Sequence, residues 1–274
     1  MKAFKVYLIT VALLCLIYQA VPALAQAVVT GAAPPAAIPV APVAEEPLKE
    51  VAAATGPIVI ELFSSQACIF CPGADRLFAD LAAQENVVGI ACHVDYFDVR
   101  EGALSKPFCT ARQGWYQKIL HGGPHYTPQM VIQGTIDVVG YKLEDVYAGM
   151  KKTAETGTAK LQIFPGKKPN EYRVALPDDF AMRETGAVLW LMTMDAPHDI
   201  AIAEGRNRGR RAVYVNIVSD MKGIGPWPPG QQGTVIEAPF VPGQENFAVL
   251  LQDSVTGKII AAAKYKKTSA PKPN

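Results

Sequence analysis

The run Val87–Val94, VVGIACHV, carries apolar side chains with no polar alternation. A half-exposed strand alternates, whereas a strand apolar on both faces is covered on both, as in a largely parallel sheet. Whatever surrounds this run must therefore supply packing layers on two sides. Upstream, Ile58–Phe63 (IVIELF) is a second short run of strand type. Between the two, Ala74, Leu77, Phe78 and Leu81 follow helical spacing, with Pro72 in the first turn, where a missing N–H costs nothing. A further helix is expected over Arg112–Leu120. Pro128 then opens QMVIQGTIDVVG, two strand-like runs joined at Gln133-Gly134, and a third helix is expected over Lys142–Lys152, ending near Gly157. The order β-α-β-α-β-β-α makes the first two strands parallel through a right-handed crossover. The tight turn makes the last two antiparallel.

The pattern changes after Ala159. Up to Tyr265 the chain reads as short alternating segments, among them EYRVAL, AVLWLMTMD, RAVYVNIVSD and FAVLLQD. Turn signals such as GKKPN, GRNRGR, GPWPPG and VTGK separate them. Regular strands punctuated this way predict an antiparallel sandwich or barrel.

At the N-terminus, Lys2 and Lys5 precede an apolar run from Val6 to Tyr18, and Ala23-Leu24-Ala25 offers small residues for cleavage. This is the layout of a secretory signal peptide over residues 1–25. A membrane anchor is the alternative, but the run is short for a span of about 20 residues. Cys15 follows Leu14 rather than a small residue, which disfavours a lipid-anchored cysteine. Residues 26–55 are rich in Ala, Pro and Val and are expected to form a disordered tether. Five boundaries result: 1–25, 26–55, 56–157, 158–268 and a tail at 269–274. The formal charge is +1, from 26 basic and 25 acidic residues. Losing Lys2 and Lys5 leaves 24 against 25, or −1. Neither value suggests nucleic acid or an anionic membrane as a partner. The expected location is secreted or periplasmic, with no membrane span after cleavage.

An oxidising compartment gives the remaining cysteines, Cys68, Cys71, Cys92 and Cys109, a chemical context. Cys68 and Cys71 form a C-x-x-C between a strand and a helix. A closed zinc site needs four ligands, and no second pair stands at ligand spacing. No metal or other cofactor is expected. The redox alternative fits better. A cysteine at a helix N-terminus is favoured as thiolate, the species that attacks a disulfide. Cys71, one turn on, is placed to resolve the mixed disulfide. Thr127-Pro128 starts a strand, where proline demands an unusual backbone and a cis bond is a common solution.

Together, ELFSSQACIFCPGAD, HVDYFD, FCTARQGWY and YTPQMVIQG resemble a secreted, thioredoxin-like bacterial family catalogued as domain of unknown function 1223. EGRNRGR and LLQDSVTGKIIAAA extend the resemblance over nearly the whole mature chain. It implies an α/β thioredoxin-like domain followed by an all-β, antiparallel sandwich-like C-terminal domain. It also implies that Pro128 is cis and faces Cys68, and that the Thr127 backbone pairs with an incoming substrate chain. Two departures from well-known thioredoxins stand out: Gln66-Ala67 replaces the usual Trp, and Ile69-Phe70 fills the motif.

The expected activity is thiol–disulfide exchange, with a thiol- or disulfide-bearing protein as substrate and an unknown redox partner. Cys68 would be nucleophile, Cys71 the resolving thiol, and Thr127 and Pro128 the docking edge. Asp95, with His93 and Asp98 nearby, is a candidate proton shuttle; the alternative is a turn or cap residue. Cys92 and Cys109 are a candidate second disulfide, or Cys92 is a buried hydrophobe. Two rival functions remain: a copper-binding protein using the cysteines and His121 or His125, and a binding module with a structural Cys68–Cys71 bridge. Arg206, Arg208, Arg210 and Arg211 are read as a solvated hairpin turn or an acidic-partner site, and Trp227 as loop packing or a recognition aromatic.

Overall fold

The computed structural model describes residues 56–97, 103–120, 123–180, 182, 186–203 and 205–266. The signal segment, the Ala/Pro-rich segment and the 269–274 tail lie outside the described residues, as do Asp98 and His121. Strand β1 (Ile58–Ser64) leads through a tight loop to helix α1 (Cys71–Ala82) and then to β2 (Val87–His93). Helix α2 spans Pro107–Leu120, five residues more at its start than the apolar spacing indicates, because proline fits the first helical turn. Strands β3 (Gln129–Ile132) and β4 (Ile136–Val139) form a hairpin, and α3 follows over Leu143–Ala154. These strands make one mixed sheet in the order β2-β1-β3-β4. β1 runs parallel to β2, from Ile58 against Val87 to Ser64 against His93, and antiparallel to β3.

The remaining strands are β5 (Ala159–Lys160), β6 (Gln162–Pro165), β7 (Glu171–Ala175), β8 (Ala187–Asp195), β9 (His198–Ala201) and β10 (Arg211–Tyr214). They continue as β11 (Val218–Trp227), β12 (Gly233–Glu237), β13 (Gln244–Asp253) and β14 (Ile259–Lys266). They form a five-stranded sheet β11-β8-β13-β14-β5, a three-stranded sheet β12-β7-β6 and the hairpin β9-β10.

This architecture corrects the expected fold class of an α/β thioredoxin-like domain followed by an all-β domain. Among the described residues, fourteen strands stand against three short helices, and the sheets are several, mixed and antiparallel. The reason lies in how the apolar run of β2 is covered. In an α/β sheet, helices cover both faces. Here Val87 and Ala91 pack with Phe78 and Leu81 of α1. Val88, Ile90 and Cys92, on the other face, pack with Met192, Met194, Ala248, Leu250 and Ala262, so strands supply much of that layer. At the edge of β2, Ala91 N donates to Asn216 O at 3.0 Å, and the Asn216 side chain donates to Gly89 O at 3.0 Å. Gly89 is required for another reason: a Cβ there would stand 2.6 Å from the Ala82 Cβ of α1.

One buried polar cluster ties the layers together. Glu61 of β1 accepts hydrogen bonds from Arg112 Nε, from Arg112 Nη2 at 2.8 Å and from the Tyr116 hydroxyl. Arg112 Nη2 also donates to Gln252 Oε1 at 3.1 Å, and Gln252 Nε2 donates to the Tyr116 oxygen at 2.7 Å. Burial of charge is tolerated only when each partner is satisfied in this way.

Candidate dithiol site

The loop from β1 to α1 is a pair of tight turns. Cys68 N donates to Ser65 O at 3.1 Å, and Cys71 N to Cys68 O at 3.3 Å. The helix proper begins at Cys71, so Cys68 stands one turn ahead of it rather than on it. Cys68 is 8 % exposed and Cys71 wholly buried, and both are free thiols. Ile69 and Phe70, the two residues between them, point outward; Phe70 is 63 % exposed, with its ring 6.1 Å from that of Tyr141.

The two thiols are driven apart in acidity. A hydrogen bond from Cys71 pulls Cys68 down to about 6 against the opposing effect of burial. The Thr127 side chain and the backbone N–H groups of Phe70 and Cys71 add to this. Burial pushes Cys71 far above the ordinary thiol range, and the neighbouring Cys68 reinforces that. Cys68 is thus the sulfur ionised near neutrality, and Cys71 the one that keeps its proton.

Behind Cys71 lies a carboxyl that the sequence reading passed over. Asp75 is four residues along α1 and therefore on the same face. It is 7 % exposed; its Oδ1 accepts from Ser64 Oγ at 2.6 Å and its Oδ2 has no hydrogen-bond partner. Burial raises its pKa to about 7, and the Cys68 charge acts in the same sense. A carboxyl poised near neutrality beside a thiol is suited to exchange a proton with it.

The Thr127–Pro128 peptide is cis, and the Cys68 thiol donates to Thr127 O at 3.7 Å. The Thr127 hydroxyl is buried, and the Thr127 side chain lowers the Cys68 pKa. The loop is held from below. Gln113 Nε2 donates to Tyr126 O at 2.8 Å and to Gln129 Oε1 at 3.0 Å, while the Tyr126 hydroxyl donates to Asp137 Oδ2 at 2.6 Å. Cys68, Cys71, Thr127 and Pro128 therefore meet at one place.

The other candidates fall elsewhere or serve other ends. Asp95 Oδ1 accepts from Thr110 Oγ1 at 2.5 Å, at the start of α2, while Asp75 is the carboxyl beside the cysteines. Cys92 of β2 and Cys109 of α2 are joined in a disulfide, S–S 2.06 Å, inside the shared core. The His93 ring lies edge-on to Tyr214, and His125 stacks on Tyr96 at the surface. Among the described residues no group of three His, Cys, Asp or Glu side chains is arranged to hold a metal. Trp227 is buried, its indole N–H donating to Gln231 O at 2.8 Å.

A second overlooked residue comes from far along the chain. Asn207, in the turn between β9 and β10, is 1 % exposed. Its side-chain amide donates to Gln66 O at 3.0 Å and to Cys68 O at 2.7 Å. Nothing local in EGRNRGR marks this asparagine as a brace for a loop 139 residues away.

Fold and site define a β-rich protein with a buried dithiol set against a cis proline. Residues 59–252 match the family described as protein of unknown function DUF1223, and the chain belongs to that family. Among solved structures, it is similar to protein AGR_C_4864 of Agrobacterium tumefaciens, at 23% identity and a TM-score of 0.66, over 81% of this chain and 98% of that one. It is also similar to HBP35 of Porphyromonas gingivalis, at 13% identity and a TM-score of 0.52, over 79% of this chain and 80% of that one. No curated protein matches the chain.

Proposed function

We propose that this protein carries out thiol–disulfide exchange on protein partners in an oxidising compartment outside the cytoplasm. The observation that carries it is the placing of two free thiols of opposed acidity beside Thr127–Pro128, with Asp75 behind the less acidic one. The N-terminal sequence layout and the Cys92–Cys109 bridge, of a kind that persists where oxidants prevail, support the choice of compartment.

Starting from the reduced pair, the Cys68 thiolate attacks one sulfur of a partner disulfide. A Cys68–partner S–S bond forms, the partner's own S–S bond breaks, and the electron pair leaves on the partner's second sulfur, which takes a proton. Cys71 then passes its proton to Asp75 and attacks Cys68. The Cys68–Cys71 bond forms, and the partner departs as a second thiol. Two electrons have moved from the pair to the partner, and a thiol reductant must return them. Run backwards, the same steps oxidise a dithiol. The Thr127 carbonyl beside Cys68 is positioned for an extended partner chain to pair with.

Trapping tests this. In a Cys71→Ser variant the mixed disulfide is not resolved, and gels run without reductant should show partners held by Cys68. Iodoacetamide should alkylate Cys68 with a rate that rises through about pH 6 and then levels, since the thiolate is the reacting species. An absence of captured partners together with a midpoint at the ordinary thiol pH would refute the proposal.

A further inference from the structure

From sequence the arginine-rich turn is either solvated or a site for an acidic partner, and its position bears on that choice. The turn is closed by its own backbone. Ile202 N donates to Arg210 O at 2.8 Å, Gly209 N to Ile202 O at 2.8 Å, Arg208 N to Gly205 O at 3.2 Å and Arg210 N to Asn207 O at 3.1 Å. Gly205 and Gly209 supply the positive φ angles, 72° and 81°, that such a turn needs. Its one buried member, Asn207, is bonded to the backbone of Gln66 and Cys68. The residues on either side, Arg206 and Arg208, are exposed, and their Cα atoms lie about 3.8 Å from that of Asn207. Arg210, also exposed, reaches back to Asn207 Oδ1 at 3.3 Å. The three guanidinium groups are thus borne on a turn anchored to the nucleophile's own loop.

Among the described residues their charge meets no carboxylate. Arg211, one residue on, is paired with Asp199 at 2.7 Å. No carboxylate among the described residues pairs with Arg206, Arg208 or Arg210. In a chain of formal charge +1, three such groups on the turn that bonds the Cys68 loop form a local positive field. Like fields at other sites raise the encounter rate of oppositely charged partners. The outward Ile69 and Phe70 add an apolar surface at the same mouth.

We infer that the 205–210 turn selects the partner: it favours polypeptides whose reacting cysteine is flanked by Asp or Glu. This rests on the exchange activity proposed above, and one experiment separates the two. The Cys71→Ser protein is mixed with three short peptides whose single cysteine carries a thionitrobenzoate disulfide, flanked by Asp, Ser or Lys. Cys68 attacks the peptide sulfur, the Cys68–peptide bond forms, and the electron pair leaves on thionitrobenzoate, the better leaving group, which is read by its colour. The Ser-flanked peptide reports the activity itself. At low salt the Asp-flanked peptide should react about tenfold faster than the Lys-flanked one, and the ratio should shrink as salt screens the field. In Arg206→Gln/Arg208→Gln/Arg210→Gln the ratio should fall towards one, while Arg211→Gln, whose arginine is already paired, should keep it. A Ser-flanked peptide that reacts no faster with the protein than with free cysteine would overturn the exchange activity and this assignment with it. A reactive Ser-flanked peptide with equal Asp and Lys rates, or a salt-independent ratio, would overturn the role of the turn alone.

Discussion

Two carboxyl groups are buried near the same strand, Glu61 within β1 and Asp75 on the helix that follows it, and they are treated in opposite ways. Glu61 is met by the Arg112 guanidinium at both oxygens and by the Tyr116 hydroxyl, with Gln252 closing the cluster. Asp75 has one donor, Ser64 Oγ, on one oxygen, and nothing on the other. A fully compensated ion pair holds its charge and fixes geometry. A half-compensated carboxyl is destabilised when charged, so its proton is exchangeable near neutrality. The molecule keeps the first where three chain segments meet and the second beside the thiol that the proposed exchange would deprotonate.

The sharpest way to break the comparison is to unpair Glu61. Arg112→Met leaves a buried carboxylate without a counter-ion, and such losses cost about 3–5 kcal/mol. Chemical denaturation of the Arg112→Met protein should show a loss of that size. Much of it should return in Glu61→Gln/Arg112→Met, where no charge is left to compensate. A single-variant loss below about 1 kcal/mol would mean that the cluster is not the fastening described here.

Asp75→Asn should do the reverse, sparing stability and harming chemistry. Resolution of a preformed Cys68 mixed disulfide by Cys71 should slow by about a hundredfold, the scale of a lost proton acceptor. Stopped-flow release of a labelled thiol peptide measures it. The pH dependence of stability carries the sign. Asp75 titrates at about 7 when folded, above its ordinary 3.8, so between those values the native state holds a proton that the unfolded chain has released. The stabilisation is fully present below about pH 4 and is lost as pH rises through 7. Asp75→Asn removes that loss, so its melting temperature should exceed the parent's above pH 7 and match it near pH 4. An unchanged resolution rate would take Asp75 out of the proton path.

How far this was legible from sequence depends on how local each signal is. The C-x-x-C between a strand and a helix, and the Gln133-Gly134 turn with its φ angles of 51° and 69°, are short-range patterns that reading along the chain finds. Asp75 was within reach as the residue four positions after Cys71, but a single acid on a helix reads as solvated until burial is known. Asn207, Arg112 and Gln252 were not legible, because their partners lie 139, 51 and 140 residues away. The covering of β2 shows the same limit at the level of the fold. Val87–Val94 demands two packed faces, yet its composition does not say whether helices or strands will provide them. Here both do, and the α/β expectation failed on that point.

The smallest expected effect refines the picture of Cys68 itself. Its Cys71 hydrogen bond is the largest influence lowering its pKa, with the Thr127 side chain behind it. The Thr127 hydroxyl is buried and unbonded, free to turn its proton towards the thiolate as charge forms there. Thr127→Val keeps nearly the same shape, the backbone carbonyl and the peptide before Pro128, and removes only that hydroxyl. The iodoacetamide midpoint of Cys68 should move up by less than about one pH unit, leaving the plateau rate little changed. A shift of that modest size fits the hydroxyl acting on the thiolate. An immobile midpoint would leave Cys71 and the backbone N–H groups of Phe70 and Cys71 as the groups that ionise the nucleophile, and would reduce Thr127 to its carbonyl.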